Sequence, residues 1–136
     1  WTCQRGVRFG DHLFLKTLHD GYHGWDARML FDVVADPHEQ HDLTDDAPLL
    51  AARAATLLDD WVDDQLARSA THVDPLLLVL EEGGPYHCRG HLAEYLERLR
   101  ATGREAWADR LADRYATDLD QPSRTTSTRG LFGRPR

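Results

Sequence analysis

Two short stretches carry the side chains best suited to grip a charged or ring-shaped ligand. The first, His19-Asp20-Gly21-Tyr22-His23-Gly24-Trp25, sets imidazole and aromatic rings beside two glycines. The second, Gly83-Gly84-Pro85-Tyr86-His87-Cys88-Arg89-Gly90-His91, offers two imidazoles and a guanidinium, with glycines that let backbone approach a ligand closely. Arg89 has the planar fork that binds sulfate or phosphate through two parallel hydrogen bonds. His19, Tyr22, His23, His87, Arg89 and His91 are therefore the candidate substrate-binding residues, on loops of the kind that line pockets. The plainer reading is that they are surface loop residues in a His-rich chain.

Other groups suggest chemistry and do not sustain it. His19/His23 and His87/His91 are four apart and His38/His41 three apart, but structural zinc needs four convergent ligands. His38-Glu39-Gln40-His41 is one residue short of the spacing that puts two imidazoles on one helix face, so no metal site is predicted. Asp59, Asp60, Asp63 and Asp64 fall on the outer side of a helix and read as solvated acidic surface. Cys3 and Cys88 allow one bridge at most, match no metal or redox spacing, and read as buried thiols.

The elements that must position these residues follow from periodicity. Cys3 to Phe9 and His12 to Leu18 are short runs separated by Gly10-Asp11, the two-residue connection of a β-hairpin. In the second run Leu13, Leu15 and Thr17 share one face and Phe14, Lys16 and Leu18 the other, with Lys16 a polar break that predicts partial cover. Met29 to Val34 returns antiparallel and stops by Ala35 or Asp36, because Pro37 cannot donate to a ladder and Asp36 favours a turn. From Asp46 to Ser69 the apolar positions Leu50, Ala54, Leu57, Leu58, Trp61, Val62 and Leu66 repeat at three and four residues. That is an amphipathic helix, with Asp45 or Asp46 to cap it, Pro48 in its first turn, and Trp61 expected in the core.

Asp74-Pro75 opens a short apolar helix, Leu76 to Leu80, expected to be buried and ended by Gly83-Gly84. Leu92, Tyr95, Leu96 and Leu99, then Trp107, Leu111 and Tyr115 across Gly103, predict a helical hairpin. Residues 118–136 are rich in Ser, Thr, Arg and Pro and read as a disordered tail beyond a domain of residues 1–117. The fold class is α+β: an antiparallel sheet over about residues 3–34 packed on a long helix over about 46–69, then a short helix and a helical hairpin.

At 136 residues the chain is one domain on length, and its net charge of −7 argues against nucleic-acid or anionic-membrane partners. No apolar run reaches the roughly 20 residues of a membrane helix. Position 1 is Trp and strand-like residues begin almost at once, so the sequence reads as part of a longer polypeptide, with any signal peptide upstream.

Leu30-Phe31-Asp32-Val33, Asp36-Pro37-His38-Glu39 and Asp42-Leu43 stand in an order that resembles the C-terminal subdomain of the sulfatases in the alkaline-phosphatase superfamily. There a strand ends in Leu-Tyr-Asp-Leu, followed by Asp-Pro-x-Glu and Asn-Leu. Val7-Arg8-Phe9-Gly10 and Phe14-Leu15-Lys16 resemble that family's upstream hairpin. Phe31 replaces Tyr and Asp42 replaces Asn; the likeness covers residues 3 to about 68 and is loose over 71–117. It implies a parent enzyme that hydrolyses sulfate esters with a formylglycine, made in a C/S-x-P-S/A-R motif, beside calcium or another divalent cation. Cys3-Gln4-Arg5-Gly6 and Cys88-Arg89-Gly90-His91 do not fit that motif. The resemblance thus puts cofactor and chemistry in an N-terminal catalytic domain of the same polypeptide, and leaves this chain a wall of the substrate pocket. A fragment parted from such a domain would self-associate or expose an apolar patch. The alternative is a non-catalytic interaction module that docks a partner on the hairpin bearing Trp107 and Tyr115.

Overall fold

Alternating side chains and a tight turn make the first 32 residues a three-stranded antiparallel meander. In the computed structural model, which describes residues 1–84 and 90–119, β1 (Cys3–Phe9), β2 (His12–His19) and β3 (Arg28–Asp32) lie in the order β1-β2-β3. Gly10 turns the hairpin at φ +55°, a conformation that costs Gly little. The register aligns Val7, Phe14 and Leu30 on one face and Leu13, Leu15, Met29 and Phe31 on the other.

Helix α1 (Pro48–Arg68) crosses the Phe14 face, in contact with β1 and β2. Its core stripe is Ala51, Ala54, Ala55 and Leu58, packed with Phe14 and Leu30. Three alanines in four positions let the helix backbone approach the sheet closely, so Phe14 and Leu30 are fully enclosed. Lys16, the expected polar break, is not an uncovered gap: its Nζ reaches Asp59 Oδ1 of α1 at 2.7 Å.

Several expectations change on this scaffold. The third strand ends at Asp32, because the Asp32 carboxylate accepts hydrogen bonds from the N–H groups of Val34 (3.0 Å) and Ala35 (2.9 Å) and turns the chain there. Val33 and Val34 are thus turn residues. No side chain caps α1: Ala47 holds the N-cap position, and the preceding turn is secured by Ala47 N–H on the Leu43 carbonyl at 2.8 Å. Trp61 is not core. It is 60 % exposed and Leu57 is half exposed, whereas Leu58 is 3 % exposed, since the narrow sheet covers only the alanine-centred stripe.

Past Leu58 that stripe continues as one wall of an open groove of about 870 Å³, lined by Trp61, Val62, Leu66, Val73, Leu76 and Leu78. The facing wall includes α2 (Pro75–Glu81), in which no residue is buried and Leu77 and Leu78 are each 47 % exposed. The expectation of a buried α2 fails because the helix is held at its N-terminus rather than by packing. Asp74 accepts the Leu76 N–H at 3.0 Å as N-cap and the Arg5 Nη2 of β1 at 2.6 Å.

These elements belong to the first of two compact units, Trp1–Glu82 and Gly83–Arg136. In the second, α3 (Leu92–Ala101) and α4 (Glu105–Arg114) form a hairpin, followed by the single turn α5 (Ala116–Leu119). Leu92, Leu96, Leu99, Ala108 and Leu111 are its buried residues, Gly103 turns the corner at φ +74°, and the Arg110 guanidinium lies 4.9 Å from the centre of the half-buried Trp107 ring. Of the expected tail, residues 120–136 lie outside the described residues, as does Cys88.

The two α1 residues therefore separate in a urea titration. Leu58→Ala is expected to cost about 2 to 5 kcal/mol, and Trp61→Ala under about 1 kcal/mol. Equal losses would return Trp61 to the core.

Candidate functional site

The loop between β2 and β3 is built around Asp20, which is 1 % exposed. Its two carboxylate oxygens accept the N–H groups of Tyr22 (3.0 Å) and Gly24 (2.8 Å), and its carbonyl accepts the His23 N–H at 3.2 Å. This wraps the chain tightly enough that Gly21 and Tyr22 both take positive φ, +62° and +68°. For Tyr that is an uncommon backbone state, held by the buried carboxylate. Position 21 has to be glycine, since a Cβ there would collide with the Trp1 carbonyl. The base of the loop is closed by Thr17 N–H on the Ala27 carbonyl at 2.9 Å.

The wrap sorts the rings into two groups. Trp1 stacks on His19 with centroids 4.6 Å apart and planes 16° apart, and Tyr22 meets His19 edge-on at 5.4 Å. His23 turns away and stacks on Trp25 at 4.8 Å. The Gly21 N–H donates to His19 Nδ1 at 3.0 Å, so Nδ1 is the acceptor and the neutral ring carries its proton on Nε2. A ring face, an imidazole N–H and a phenol side by side suit binding and orientation of a ligand.

Of the six candidate residues, then, His19 and Tyr22 are brought together and His23 is diverted to Trp25. His91 lies in the second unit at the N-cap position of α3, with Nδ1 3.4 Å from Glu94 Oε2. His87 and Arg89 lie outside the described residues. Two residues of the loop site were not among the candidates: Asp20, which organises it, and Trp1, which stacks against it. Asp followed by Gly in a ring-rich loop is the signal for Asp20, because a short carboxylate captures amides two residues on.

The acidic motif at the opposite end of the sheet has a different job. Asp36 Oδ2 accepts the His41 N–H at 2.8 Å and closes the loop around Pro37. Asp42 Oδ1 accepts the Leu30 N–H at 2.9 Å, the Thr44 N–H at 2.8 Å and the Thr44 hydroxyl at 2.6 Å, while the Leu43 N–H donates to the Leu30 carbonyl at 2.7 Å. Asp42-Leu43 thus occupies the outer edge of β3 as a short substitute strand. Burial pushes the Asp42 carboxyl up, but the three hydrogen bonds outweigh it and leave its pKa below the ordinary value. The amides of Ala35 and Val34 likewise lower that of Asp32.

Among the described residues no group of three or more His, Cys, Asp or Glu is placed to hold a metal ion. Burial raises the pKa of the Cys3 thiol, against the opposing charge of Arg5 and with the added push of Asp74, which is the setting of an inert cysteine. With Gln4-Arg5-Gly6 after it, Cys3 does not fit a formylglycine precursor. No helix among the described residues is long and apolar enough to cross a membrane.

No protein family, curated protein or solved structure matches this chain significantly.

The lowered Asp42 pKa has a sign that can be checked. Its folded-state pKa lies below the unfolded value of about 3.9, so its stabilisation is complete above that pH and is lost as pH falls through the folded pKa. Asp42→Asn keeps the Oδ1 acceptor and removes this titration. Urea midpoints of the variant should lie below those of the parent chain near neutrality, where the charged carboxylate is lost, and fall less steeply below about pH 4 so that the two converge. Parallel acid profiles would show that Asp42 does not hold Leu30 as a carboxylate.

Proposed function

We propose that this chain is the C-terminal, non-nucleophilic part of a sulfatase-type hydrolase, whose Asp20 loop forms one edge of a substrate pocket completed by an N-terminal catalytic domain. The observation that carries the reading is the stacking of Trp1 on His19, with Tyr22 against the same imidazole. A preceding polypeptide joined at Trp1 enters beside these rings, at the end of the sheet away from the acidic motif. The residues that resemble the sulfatase pattern, Asp32, Asp36 and Asp42, all hold backbone amides. Their role in this reading is architectural, and formylglycine and a divalent cation such as calcium belong to the catalytic domain. His19 and Tyr22 orient the substrate; neither transfers a proton or attacks sulfur.

The interaction-module reading is favoured by a different surface from the expected one. The half-buried Trp107 of the hairpin lies close to Arg110, whereas nearly all the exposed large apolar side chains among the described residues, Trp61, Val73, Leu77 and Leu78 included, lie in the first unit.

The test uses a polypeptide that carries both a C/S-x-P-S/A-R motif and these 136 residues, assayed on a chromogenic aryl sulfate with calcium present. His19→Ala should lower kcat/KM about tenfold, chiefly through KM, since the lost group binds rather than reacts. The 136-residue chain alone should give no turnover with or without calcium. Unchanged kinetics in His19→Ala, or turnover by the isolated chain that survives repurification, would overturn the assignment.

A further inference from the structure

We propose that the outer edge of β1 pairs with the same edge of a second copy of the chain, joining two three-stranded sheets into one about a two-fold axis at Gly6. This stands apart from the sulfatase reading, because it uses neither the Asp20 loop nor the acidic motif. The ladder fixes which backbone groups are free. Thr17 N–H donates to the Ala27 carbonyl and Val33 N–H to the Asp11 carbonyl, so Leu13, Leu15 and Thr17 of β2 bond to β3, and His12, Phe14 and Lys16 bond to β1. Their partners Phe9, Val7 and Arg5 therefore turn their backbone groups to β2, and the N–H and C=O groups of Gln4, Gly6 and Arg8 face outward. Among the described residues these backbone groups have no hydrogen-bond partner. Gly6 and Arg8 are exposed, so the edge is open there. The usual guards of an edge are missing: β1 has no Lys and no Pro, and its bulge lies at the far end, between Cys3 and Gln4.

Alternating donors and acceptors on an extended backbone are matched by another strand, and the residues of β1 complement themselves. Antiparallel pairing about Gly6 sets Gly6 opposite Gly6, Gln4 opposite Arg8 and Arg5 opposite Val7 of the second copy. Every outward N–H and C=O of both copies is then bonded. Arginine never faces arginine: Arg8 meets an amide, and Arg5, already held by Asp74 at 2.6 Å, meets valine. Moving the register two residues one way sets Arg5 against Arg5, and two residues the other way leaves Gln4 opposite the Gly10 turn. Gly6 also brings apolar surface to the axis. Leu15 folds over it so closely that a Cβ at position 6 would lie 2.8 Å from Leu15 Cδ2 and 3.6 Å from Leu13 Cδ1. On the face away from α1 these leucines therefore reach the edge, and pairing joins that face to its copy. The β3 edge is closed by Asp42-Leu43, so the two-fold pairing consumes the open edge and ends in a dimer rather than a fibre.

Sedimentation of the 136-residue chain over a range of concentrations tests this. A small interface of this kind should give a dimer with a dissociation constant on the order of 10 to 100 µM. Each chain carries a net charge of −7, so raising salt from about 50 to about 300 mM should tighten the dimer by screening the repulsion between copies. Arg8→Pro removes an outward N–H and leaves the bonds to β2 in place, and should weaken the dimer about tenfold or more. Arg8→Ala keeps that N–H and should change it by less than about threefold. Two readouts on the unaltered chain do not depend on the folding of a variant. The amides of Gln4, Gly6 and Arg8 should exchange more slowly as concentration rises, and a mixed-label sample should show an inter-chain α-proton contact between Arg5 and Val7, the closely spaced pair of this register. A monomer up to about 1 mM, a dimer in which the Gly6 and Arg8 amides stay unprotected, or a dimer abolished by Trp61→Ala and indifferent to Arg8→Pro would overturn the proposal. Failure of the His19 kinetics alone would leave this edge standing.

Discussion

The first unit depends on what happens at one residue, Leu30. Its side chain completes the core under Ala54 and Leu58, and its backbone is the outer edge of a sheet only three strands wide. An exposed edge of that kind pairs with whatever strand it meets. Here Asp42 takes the Leu30 N–H and Leu43 gives its N–H to the Leu30 carbonyl, so a dipeptide does the work of a fourth strand. Leu43 also packs on the core, and its carbonyl receives the Ala47 N–H that starts the turn into α1. The same clasp closes the edge and sets where the helix begins.

This arrangement explains which features were legible in the residues. The hairpin and the long helix were plain, because alternation about Gly10-Asp11 and three-and-four spacing from Leu50 to Leu66 each have one regular solution. The end of β3 was not, since Val33 and Val34 have strand-forming side chains and yield only because Asp32 captures the amides after it. The fate of Trp61 was also hidden. Periodicity identifies an apolar stripe but not how much of it the opposing layer is wide enough to cover, and a narrow sheet reaches no further round α1 than the alanines and Leu58. The buried α2 failed for the same reason: an apolar heptad needs a partner surface, and Asp74 anchors only its first turn.

The loop site was half legible. Ring content marked His19 and Tyr22, but the geometry that unites them comes from Asp20, whose burial and paired hydrogen bonds no spacing rule announces. The division of labour along the sheet follows. Carboxylates at one end hold backbone and close an edge; a carboxylate at the other end folds a loop that presents rings beside the N-terminal Trp1. On the helix side, the same stripe that builds the core runs out into an apolar groove between α1 and α2.

The clasp is the claim on which these roles rest, and amide hydrogen exchange reads it residue by residue. If Asp42-Leu43 serves as an edge strand, the N–H groups of Leu30 and Leu43 should exchange only through global unfolding, at the rate of the Ala54 and Leu58 amides in α1. Exchange of Leu30 and Leu43 at the rate of open loop amides, with α1 still protected, would contradict it.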